Sequence, residues 1–449
     1  MKVMKVLIPD LKEIIVAGRP DDLKEAVSEF FPVDIAEIFE ELDPGEQFSV
    51  FSVLDEWQKV AVFDELEEGI RYSLLKKLPA SDQSFLLNTM SPDERADFFE
   101  EIPEEEADRL FPLMKEEEQK DTKLLTAYPP TTAGGRMTTE YASLLEDLTV
   151  AEAIDYLRKT APDKETIYTI YVISEKGTLI GIVSLKDLIL APSHRLIEEI
   201  MDEKVISVKA EIDQEEVASV IRKYDLLAVP VTDAYGKLIG IITVDDIMDI
   251  IREENTEDFY RLSAAGRYIG KYLEISNVTH GRQRIQWLII LLFANLASGF
   301  IIHSYQGILQ AAVILTSFIP VLMGASGNSG NQSSTTIVRG LAIGEVTIRD
   351  FLRVFRKELC IGVLVGAGMG VIASGWAFFI GDVTLAITVF FGIVTAITVA
   401  TTIGGILPII TKKLGFDPAL MSGPFIASTA DIFSLIIFFN VARLFLNLH

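Results

Sequence analysis

The chain has 449 residues, of which 40 are Lys or Arg, 65 are Asp or Glu and one is cysteine, giving a formal net charge of −25. A single cysteine excludes a disulfide scaffold, the 49% hydrophobic content argues against a disordered acidic tail, and the surplus of acid argues against a general nucleic-acid binder. At roughly 100–200 residues per domain, the length predicts a multidomain protein.

The charge is divided unevenly along the chain. Residues 281–449 carry 10 basic and 6 acidic residues, which leaves 30 basic and 59 acidic residues for 1–280, so the net charges are +4 and −29. The second part contains apolar stretches long enough to cross about 30 Å of hydrocarbon. The predicted membrane spans are 285–304, 308–327, 359–381, 383–410 and 419–446.

Lys and Arg are concentrated in alternate connections between these spans. Two precede the first span, five lie between Arg339 and Lys357, and two more follow the fourth span, whereas the other two loops carry none. Short basic loops stay on the cytoplasmic side of a membrane. We therefore expect a multi-pass protein of the plasma or inner membrane, with its N-terminus in the cytoplasm and its C-terminus outside.

Residues 1–130 show the pattern of short helices separated by turn and cap signals, such as LDPG at 42–45 and MSPD at 90–93. The pair Ala96-Asp97 recurs as Ala107-Asp108, an offset of 11 residues. The pattern predicts an acidic all-α N-domain built as a helical solenoid. An irregular helical bundle is the alternative.

A clear internal repeat follows, because the segment 174–187 (SEKGTLIGIVSLKD) aligns with 233–246 (DAYGKLIGIITVDD) at a constant offset of 59 residues. Each copy predicts a strand, a glycine turn, a second strand and a helix capped by Ser184 or Thr243. The repeat resembles a tandem pair of CBS domains, an α/β module, which we place at 137–254. A helical pattern continues beyond the second copy, and residues 255–280 are predicted to form a long connecting helix.

The fifth span has a narrow stripe of small and polar residues that includes Ala427, Ser428 and Asp431. An ionised Asp near the middle of a membrane costs at least about 2.5–3.5 kcal/mol on insertion scales, so such a residue usually faces water, a partner or an ion. The central parts of the spans offer no Lys or Arg to neutralise it. A protonated Asp bonded to a neighbouring helix, or a salt bridge, is the alternative. The pair Asp417-Pro418 signals the start of this helix.

The second span ends in the run GASGNSGNQSSTT, in which Asn328, Asn331, Gln332 and Thr335 share one helical face. Amides and hydroxyls beside a carboxylate, with no basic residue among them, favour a cation pathway. Mg²⁺ dehydrates reluctantly and accepts one or two carboxylates while keeping several waters, so this sparse site suits a hydrated divalent ion. One Asp per chain also favours a homodimer that pairs two copies across a twofold axis.

The arrangement of acidic helical domain, CBS pair, connecting helix and five spans, with GNSGNQSS and DPALMSGPFIASTAD in the spans, resembles the MgtE family of magnesium channels over essentially the whole chain. The resemblance implies a homodimer with a pore between the two membrane domains, which closes when cytosolic Mg²⁺ is high. It implies Asp431 as the pore carboxylate. The other pore residues implied are Ala427, Asn328, Asn331, Thr335 and Asp417.

The resemblance also implies regulatory Mg²⁺ sites among the acids of residues 1–280. These residues are Asp93, Asp97, Asp213, Glu215, Asp225, Asp246, Asp249, Glu254, Glu257 and Asp258. From charge alone, divalent ions that bridge facing carboxylates would offset the repulsion of a −29 surface. CBS domains can hold the ribose of an adenine nucleotide such as ATP, and the candidates here are Ser184, Lys186 and Asp187, with Thr243 and Asp246 as counterparts. A structural helix cap is the alternative for both pairs.

These patterns predict a Mg²⁺ channel gated by cytosolic Mg²⁺. A gradient-coupled secondary transporter of Mg²⁺ or Co²⁺ is the nearest alternative, because alternating access could also use a midplane Asp. A membrane-tethered nucleotide sensor is a third hypothesis. The polar residues in the spans argue against it, because spans that serve only as an anchor would not need them. We find no P-loop, HExxH or GxSxG motif, so we expect no enzyme activity.

Overall fold

In the computed structural model, which describes residues 4–263, 276–421 and 423–446, the chain divides into two compact units, Met1–Arg252 and Glu253–His449. The first unit contains a helical domain followed by two small β-sheets with their helices. Among its described residues, the second contains five helices that are long and apolar enough to cross a membrane.

The helical domain consists of ten short helices whose N-termini are set by the turn signals in the sequence. Asp43 forms a capping box, in which its side chain accepts from the Glu46 N–H and the Glu46 carboxylate accepts from the Asp43 N–H. Asp55 caps the next helix through the Gln58 N–H. The helices are α1 Met4–Val16, α2 Pro20–Ser28, α3 Pro32–Phe39, α4 Pro44–Val53, α5 Glu56–Asp64, α6 Glu68–Leu75, α7 Ala80–Thr89, α8 Pro92–Glu101, α9 Glu104–Leu110 and α10 Glu116–Leu125.

These helices follow a 12-residue repeat, not the 11-residue offset read from Ala96-Asp97. Each 12-residue repeat has one large apolar residue near the end of a helix and a second one three positions later. The pairs are Phe39/Leu42, Phe51/Leu54, Phe63/Leu66, Leu75/Leu78, Leu87/Met90, Phe99/Ile102 and Phe111/Met114, all within one hydrophobic core. The regular stacking confirms the solenoid.

Buried polar side chains at the same 12-residue spacing close the ends of the helices. Gln47 and Gln83 each donate to two carbonyls at the end of the preceding helix, at 2.8 and 3.1 Å. Arg71, two repeats after Gln47, and Arg95, one repeat after Gln83, do the same, and Arg95 also pairs with Glu118 at 2.9 Å. Carbonyls at a helix end have no partner within the helix, so this ladder satisfies groups that burial would otherwise leave unpaired.

The two repeat modules have the same topology. In each three-stranded sheet the first strand runs parallel to the second and the second antiparallel to the third. The third strands begin 59 residues apart, at Leu179 and Leu238, and the two modules exchange reciprocal bonds: Leu179 N–H donates to Gly236 O, and Leu238 N–H to Gly177 O, both at 3.1 Å. Such reciprocity is what a pseudo-twofold pair requires. The elements are β1 Tyr141–Leu145, α11 Val150–Thr160, β2 Thr166–Ile173, β3 Leu179–Ser184, α12 Leu185–Leu190, β4 Val208–Lys209, α13 Gln214–Tyr224, β5 Ala228–Thr232, β6 Leu238–Thr243 and α14 Val244–Leu262.

Helix α14 continues without a break from the second module into the connecting segment. Residues 264–275 of the predicted connecting helix lie outside the described residues, and the first spanning helix begins at Asn277. The helices of the membrane domain are α15 Asn277–Ser304, α16 Gln306–Ala311, α17 Ile319–Ala342, α18 Phe351–Ile380, α19 Val383–Lys413 and α20 Gly423–Phe445.

The structure corrects the limits of three predicted spans. A short helix and the 3-10 segment Val313–Phe318 precede α17, so the polar run that was expected at the end of the second span lies inside this helix. Helix α18 begins at Phe351, eight residues before the expected start at 359. Helix α20 begins at Gly423 and not at 419, because Asp417 caps the separate 3-10 turn Pro418–Leu420.

Glycines allow the spanning helices to approach closely. A Cβ on Gly362 of α18 would lie 2.7 Å from the Thr398 Cα of α19, and one on Gly366 would lie 2.9 Å from the Val394 carbonyl oxygen. A Cβ on Gly330 of α17 would lie 3.1 Å from the Ala400 carbonyl oxygen. Small residues at such crossings bring helix backbones into contact, which favours association in lipid.

Candidate functional site

Asp431 lies where α17 crosses α20. A Cβ on Gly327 of α17 would be 3.4 Å from both the Asp431 Oδ1 and the Ala427 Cβ of α20, so the two helices touch at the carboxylate. Among the described residues, this Oδ1 is buried and has no hydrogen-bond partner. A buried acceptor without a partner costs about 1–3 kcal/mol, so the position favours a bound donor, water or ion.

The α17 helix presents a polar face next to this carboxylate. Asn328 and Thr335 are exposed on the single chain, as are Gln332 and Thr336. Asn331 turns toward the start of α20, where a Cβ on Gly423 would lie 2.5 Å from its Oδ1. Amides and hydroxyls exposed on a spanning helix are costly in lipid, so this face is suited to water or a second polar surface.

Five of the six predicted pore residues lie on two helices that touch, α17 and α20, and the contacts described above join Gly327 to Ala427 and Asp431, and Asn331 to Gly423. Asp431 and Ala427 lie one turn apart on α20, and Asn331, Asn328 and Thr335 lie on the adjoining face of α17. Gly327 was missed, because a glycine carries no side chain for a sequence argument to weigh. Its close approach to Asp431 is the signal that the structure adds.

Asp417 belongs to a different group near the end of α14. It accepts from the Ala419 N–H at 2.8 Å and forms an ion pair with Arg261. Arg261 also pairs with Glu257, while burial, followed by the Asp417 and Glu254 charges, raises the pKa of Asp258 to about 6. Three predicted regulatory acids therefore gather around Asp417, and Arg261 is a participant that the sequence analysis missed.

A second set of acids lies between the helical domain and the repeat modules, and we call it the acidic cluster. Its members interact electrostatically with one another. They are Asp64, Asp93, Glu94, Asp97, Glu140, Glu165, Asp245 and Asp246. The predicted residues Asp93, Asp97 and Asp246 are thus brought together, and Glu140 and Glu165 join them from a distant part of the sequence.

Burial is the main reason that the acidic cluster holds protons tightly. It raises the pKa of Asp97 to about 7, with Glu94 and Asp93 adding to the shift and Arg136 opposing it. It raises the pKa of Asp246 to about 6, and there the Thr243 hydroxyl donates to the carboxylate at 2.5 Å and opposes the shift. Burial also raises the pKa of Asp93, whose Oδ1 has no partner among the described residues.

Neither the acidic cluster nor the group of acids around Asp417 forms a closed metal cage. Within the described residues, no three His, Cys, Asp or Glu side chains converge on one point. Mg²⁺ commonly takes one or two carboxylates and retains several waters, whereas a cage of three or more fixed ligands is typical of Zn²⁺ or Ca²⁺.

The remaining predicted regulatory acids belong neither to the acidic cluster nor to the group around Asp417. Asp213 caps α13 by accepting from the Glu215 N–H at 2.9 Å, and both side chains are exposed. Asp225 ends that helix in the left-handed conformation at φ 51°, and Asp249 is exposed on α14.

At the predicted nucleotide site, Ser184 and Asp187 form a helix cap. The Ser184 hydroxyl donates to Asp187 Oδ2 at 2.6 Å and accepts from the Asp187 N–H at 3.0 Å. Lys186 and Asp187 are exposed, so their polar groups are accessible to solvent. This geometry agrees with a structural helix cap, and it also leaves the Asp187 carboxylate accessible to a ligand.

These features define a multi-pass membrane protein in which a helical solenoid and a CBS pair are joined to a five-helix membrane domain. Residues 319–441 match the MgtE family of divalent cation transporters, 30–131 match the MgtE intracellular N domain, and 133–194 and 197–253 match CBS domains. The chain belongs to the MgtE family. Membership identifies it as a transport protein and not an enzyme.

Named relatives agree over most of the chain. The magnesium transporter MgtE of Thermus thermophilus is 39% identical over 360 residues, 80% of each chain, and that of Enterococcus faecalis is 39% identical over 335 residues, 74% of this chain and 73% of the relative. A crystal structure of the cytosolic domain of the Mg²⁺ channel MgtE with ATP is 36% identical, with a TM-score of 0.52, and covers 54% of this chain and 100% of that one. The soluble part of a magnesium transporter is 33% identical, with a TM-score of 0.51, and covers 56% and 99%.

Proposed function

We propose that the protein is a homodimeric Mg²⁺ channel with its pore on the twofold axis, where Asp431 binds the permeating ion. The observation that carries the proposal is the exposed polar face of α17 beside the unpartnered Asp431 oxygen. A second copy across a twofold axis would enclose this face and supply a second carboxylate. Two carboxylates with amides and hydroxyls would then hold Mg²⁺ through its waters.

The form of the spanning helices supports a channel over a gradient-coupled transporter. Transporters of this kind often bind their ions at broken helices. Helix α17 runs from Ile319 to Ala342 through its glycine-rich segment without interruption, and α20 is continuous past Asp431. Flux that requires a proton or sodium gradient would contradict this assignment.

The pore is tested by replacing Asp431 and a matched residue on the same helix. Asp431→Asn keeps the side-chain volume and removes the charge, whereas Thr429→Val removes a hydroxyl that bonds to its own helix at Phe425 O. In liposomes containing equal amounts of folded protein, we expect Asp431→Asn to abolish Mg²⁺ flux and Thr429→Val to retain it. Unchanged flux in Asp431→Asn would overturn the pore assignment.

We further propose that cytosolic Mg²⁺ closes the channel by binding to the acidic cluster and to the acids at the end of α14. A site filled at one to ten times its dissociation constant contributes about 0.4–1.4 kcal/mol. Several sites acting together reach the few kcal/mol that shift a two-state equilibrium. The exposed acids Asp213, Glu215, Asp225 and Asp249 are proposed to act between two copies of the chain.

Removal of residues 1–130 tests this regulation, because it deletes one side of the acidic cluster and leaves the membrane domain intact. We expect closure to require a higher Mg²⁺ concentration while Mg²⁺ flux at low cytosolic Mg²⁺ is retained. An unchanged concentration for closure would exclude the N-domain from the sensor.

We propose the plasma or inner membrane as the location, with residues 1–280 cytoplasmic and the C-terminus outside. The basic residues from the end of α17 to the first turns of α18, and those at the end of α19, support this orientation. An adenine nucleotide such as ATP is proposed to bind at Ser184, Lys186 and Asp187, a proposal supported by the ATP complex of the similar cytosolic domain. Calorimetric titration with ATP, compared between the wild type and Asp187→Ala, tests this site.

A further inference from the structure

Glu358 is a buried carboxylate in α18 that the proposed pore does not use. Only 6% of the residue is exposed, and its Oε2 accepts from the Ser333 hydroxyl of α17 at 2.7 Å. Because α18 begins at Phe351, Glu358 lies two turns inside the helix. A carboxylate buried at this depth is costly unless its hydrogen bonds are satisfied.

A third helix meets this pair at Gly405 of α19. A Cβ on Gly405 would lie 2.6 Å from the Glu358 Cγ and 2.9 Å from the Ser333 Oγ. Real Cβ atoms do not approach so closely, so a larger residue at Gly405 would force the pair apart. The Ser333–Glu358 hydrogen bond therefore joins α17 to α18, and Gly405 of α19 leaves the space in which this bond forms.

The Glu358 bond fixes the side of α17 away from Asp431. Ser329 and Ser333 lie one turn apart, and Ser329 shares a 2.7 Å hydrogen bond with Thr401 of α19. Gly327, on the other side of α17, is the residue that touches Asp431. Two hydrogen bonds on one side of the helix thus set the rotation of the side that carries the polar face.

A small rotation of α17 would matter to a bound ion. Side-chain atoms about 5 Å from the helix axis move by roughly 1.7 Å when the helix turns by about 20°. This displacement exceeds the difference of about 0.4 Å between the metal–oxygen distances of Mg²⁺ and Ca²⁺. The rotation of α17 is therefore able to decide which hydrated divalent ion fits.

We propose that Glu358 is a positioning residue: through Ser333 it holds α17 in the rotation that places Gly327 against Asp431, and thereby sets the selectivity for Mg²⁺ over larger divalent ions. The inference rests on the proposed pore function. Glu358 acts as a hydrogen-bond acceptor in this role, so its oxygen matters and its charge does not.

The test compares the Mg²⁺ to Ca²⁺ flux ratio in liposomes among full-length variants, each normalised to the amount of folded protein. Glu358→Gln retains an acceptor oxygen and should stay within about twofold of the wild type. Glu358→Ala and Ser333→Ala should each lower the ratio roughly tenfold, the factor that one buried hydrogen bond can supply. The double variant should be no worse than either single variant, because both remove the same bond.

Two further variants protect the test against unfolding. Ser326→Ala is the matched control, since this buried hydroxyl bonds only to carbonyls of its own helix at Leu322 and Met323 among the described residues. It should leave the flux ratio unchanged. Gly405→Ala separates Glu358 from Ser333 without removing either group, and it should lower the ratio as Ser333→Ala does.

A loss of selectivity in Glu358→Gln equal to that in Glu358→Ala would overturn the proposal in favour of a role for the charge. An unchanged ratio in folded Ser333→Ala and Gly405→Ala would overturn it as well. Asp431→Asn, measured in parallel, separates this inference from the pore assignment. If Asp431→Asn abolishes Mg²⁺ flux but folded Ser333→Ala keeps the wild-type flux ratio, only the positioning role of Glu358 is refuted. Mg²⁺ flux that survives Asp431→Asn refutes the pore assignment.

Discussion

Asp93→Asn should stabilise the metal-free cytoplasmic part and weaken its response to Mg²⁺. The Asp93 carboxylate is buried beside Glu94 in the acidic cluster, and its Oδ1 has no partner among the described residues. Asn has nearly the same volume and no charge, so the substitution removes the desolvation and the repulsion of a buried carboxylate, a gain of about 1–3 kcal/mol for one buried group. For a part of about 250 residues, 1 kcal/mol corresponds to about 2–4 °C in Tm, so we expect the substitution to raise Tm by roughly 2–12 °C.

The assay is thermal unfolding of residues 1–262 at pH 7.5, first with a chelator and then with increasing Mg²⁺. Mg²⁺ at ten times its dissociation constant should stabilise the wild type by about 1.4 kcal/mol per site, and Asp93→Asn should lose part of this gain. Asp108→Asn is the matched control, because Asp108 is exposed on the same domain. A lower Tm for metal-free Asp93→Asn, or an unchanged response to Mg²⁺, would refute the reasoning.

Three further predictions concern stability. The acidic cluster contains carboxyl groups whose pKa is raised to about 6 or about 7, so the native state holds protons that the unfolded chain releases above about pH 4. The stability of the metal-free protein should therefore fall as pH rises from 5 to 8. A rise in stability, measured by calorimetry over this range, would contradict this. Arg95→Ala leaves Glu118 without its buried partner and should cost about 3 kcal/mol in urea unfolding of residues 1–262, whereas a loss below about 1 kcal/mol would argue against the ladder. Gly392→Ala places a Cβ 2.6 Å from the Phe438 Cδ2, so it should destabilise the detergent-solubilised protein by about 1–3 kcal/mol and lower its Tm. Gly375→Ala is the control and should leave Tm unchanged, because its Cβ would meet nothing within 4 Å.

The sequence was sufficient for features that depend on composition over a long stretch or on strict repetition. The 59-residue offset located both repeat modules, because the same strand, turn and strand recur with nearly the same residues. Asp431 could be selected as a candidate because a charged residue in an apolar helix is conspicuous and energetically costly.

Features that depend on tertiary contacts could not be read from the sequence. The second span was misplaced because the polar run of α17 lowers its apolar character. Only packing against α19 and α18 shows why Ser329 and Ser333, respectively, are tolerated there. The 12-residue solenoid repeat was missed because its positions alternate among Phe, Leu, Ile and Met, which preserve burial but not residue identity. Glu140 and Glu165 joined the acidic cluster from a separate module, a proximity that chain order does not reveal.

The central claim is that Mg²⁺ permeates past Asp431 and closes its own pathway from the cytoplasmic side. Single-channel recording of the full-length protein, with Mg²⁺ stepped on the cytoplasmic face, tests both parts together. We predict unitary Mg²⁺ currents whose open probability falls as cytoplasmic Mg²⁺ rises, and which are absent in Asp431→Asn. Unitary currents that persist in Asp431→Asn, or an open probability that ignores cytoplasmic Mg²⁺, would contradict the account.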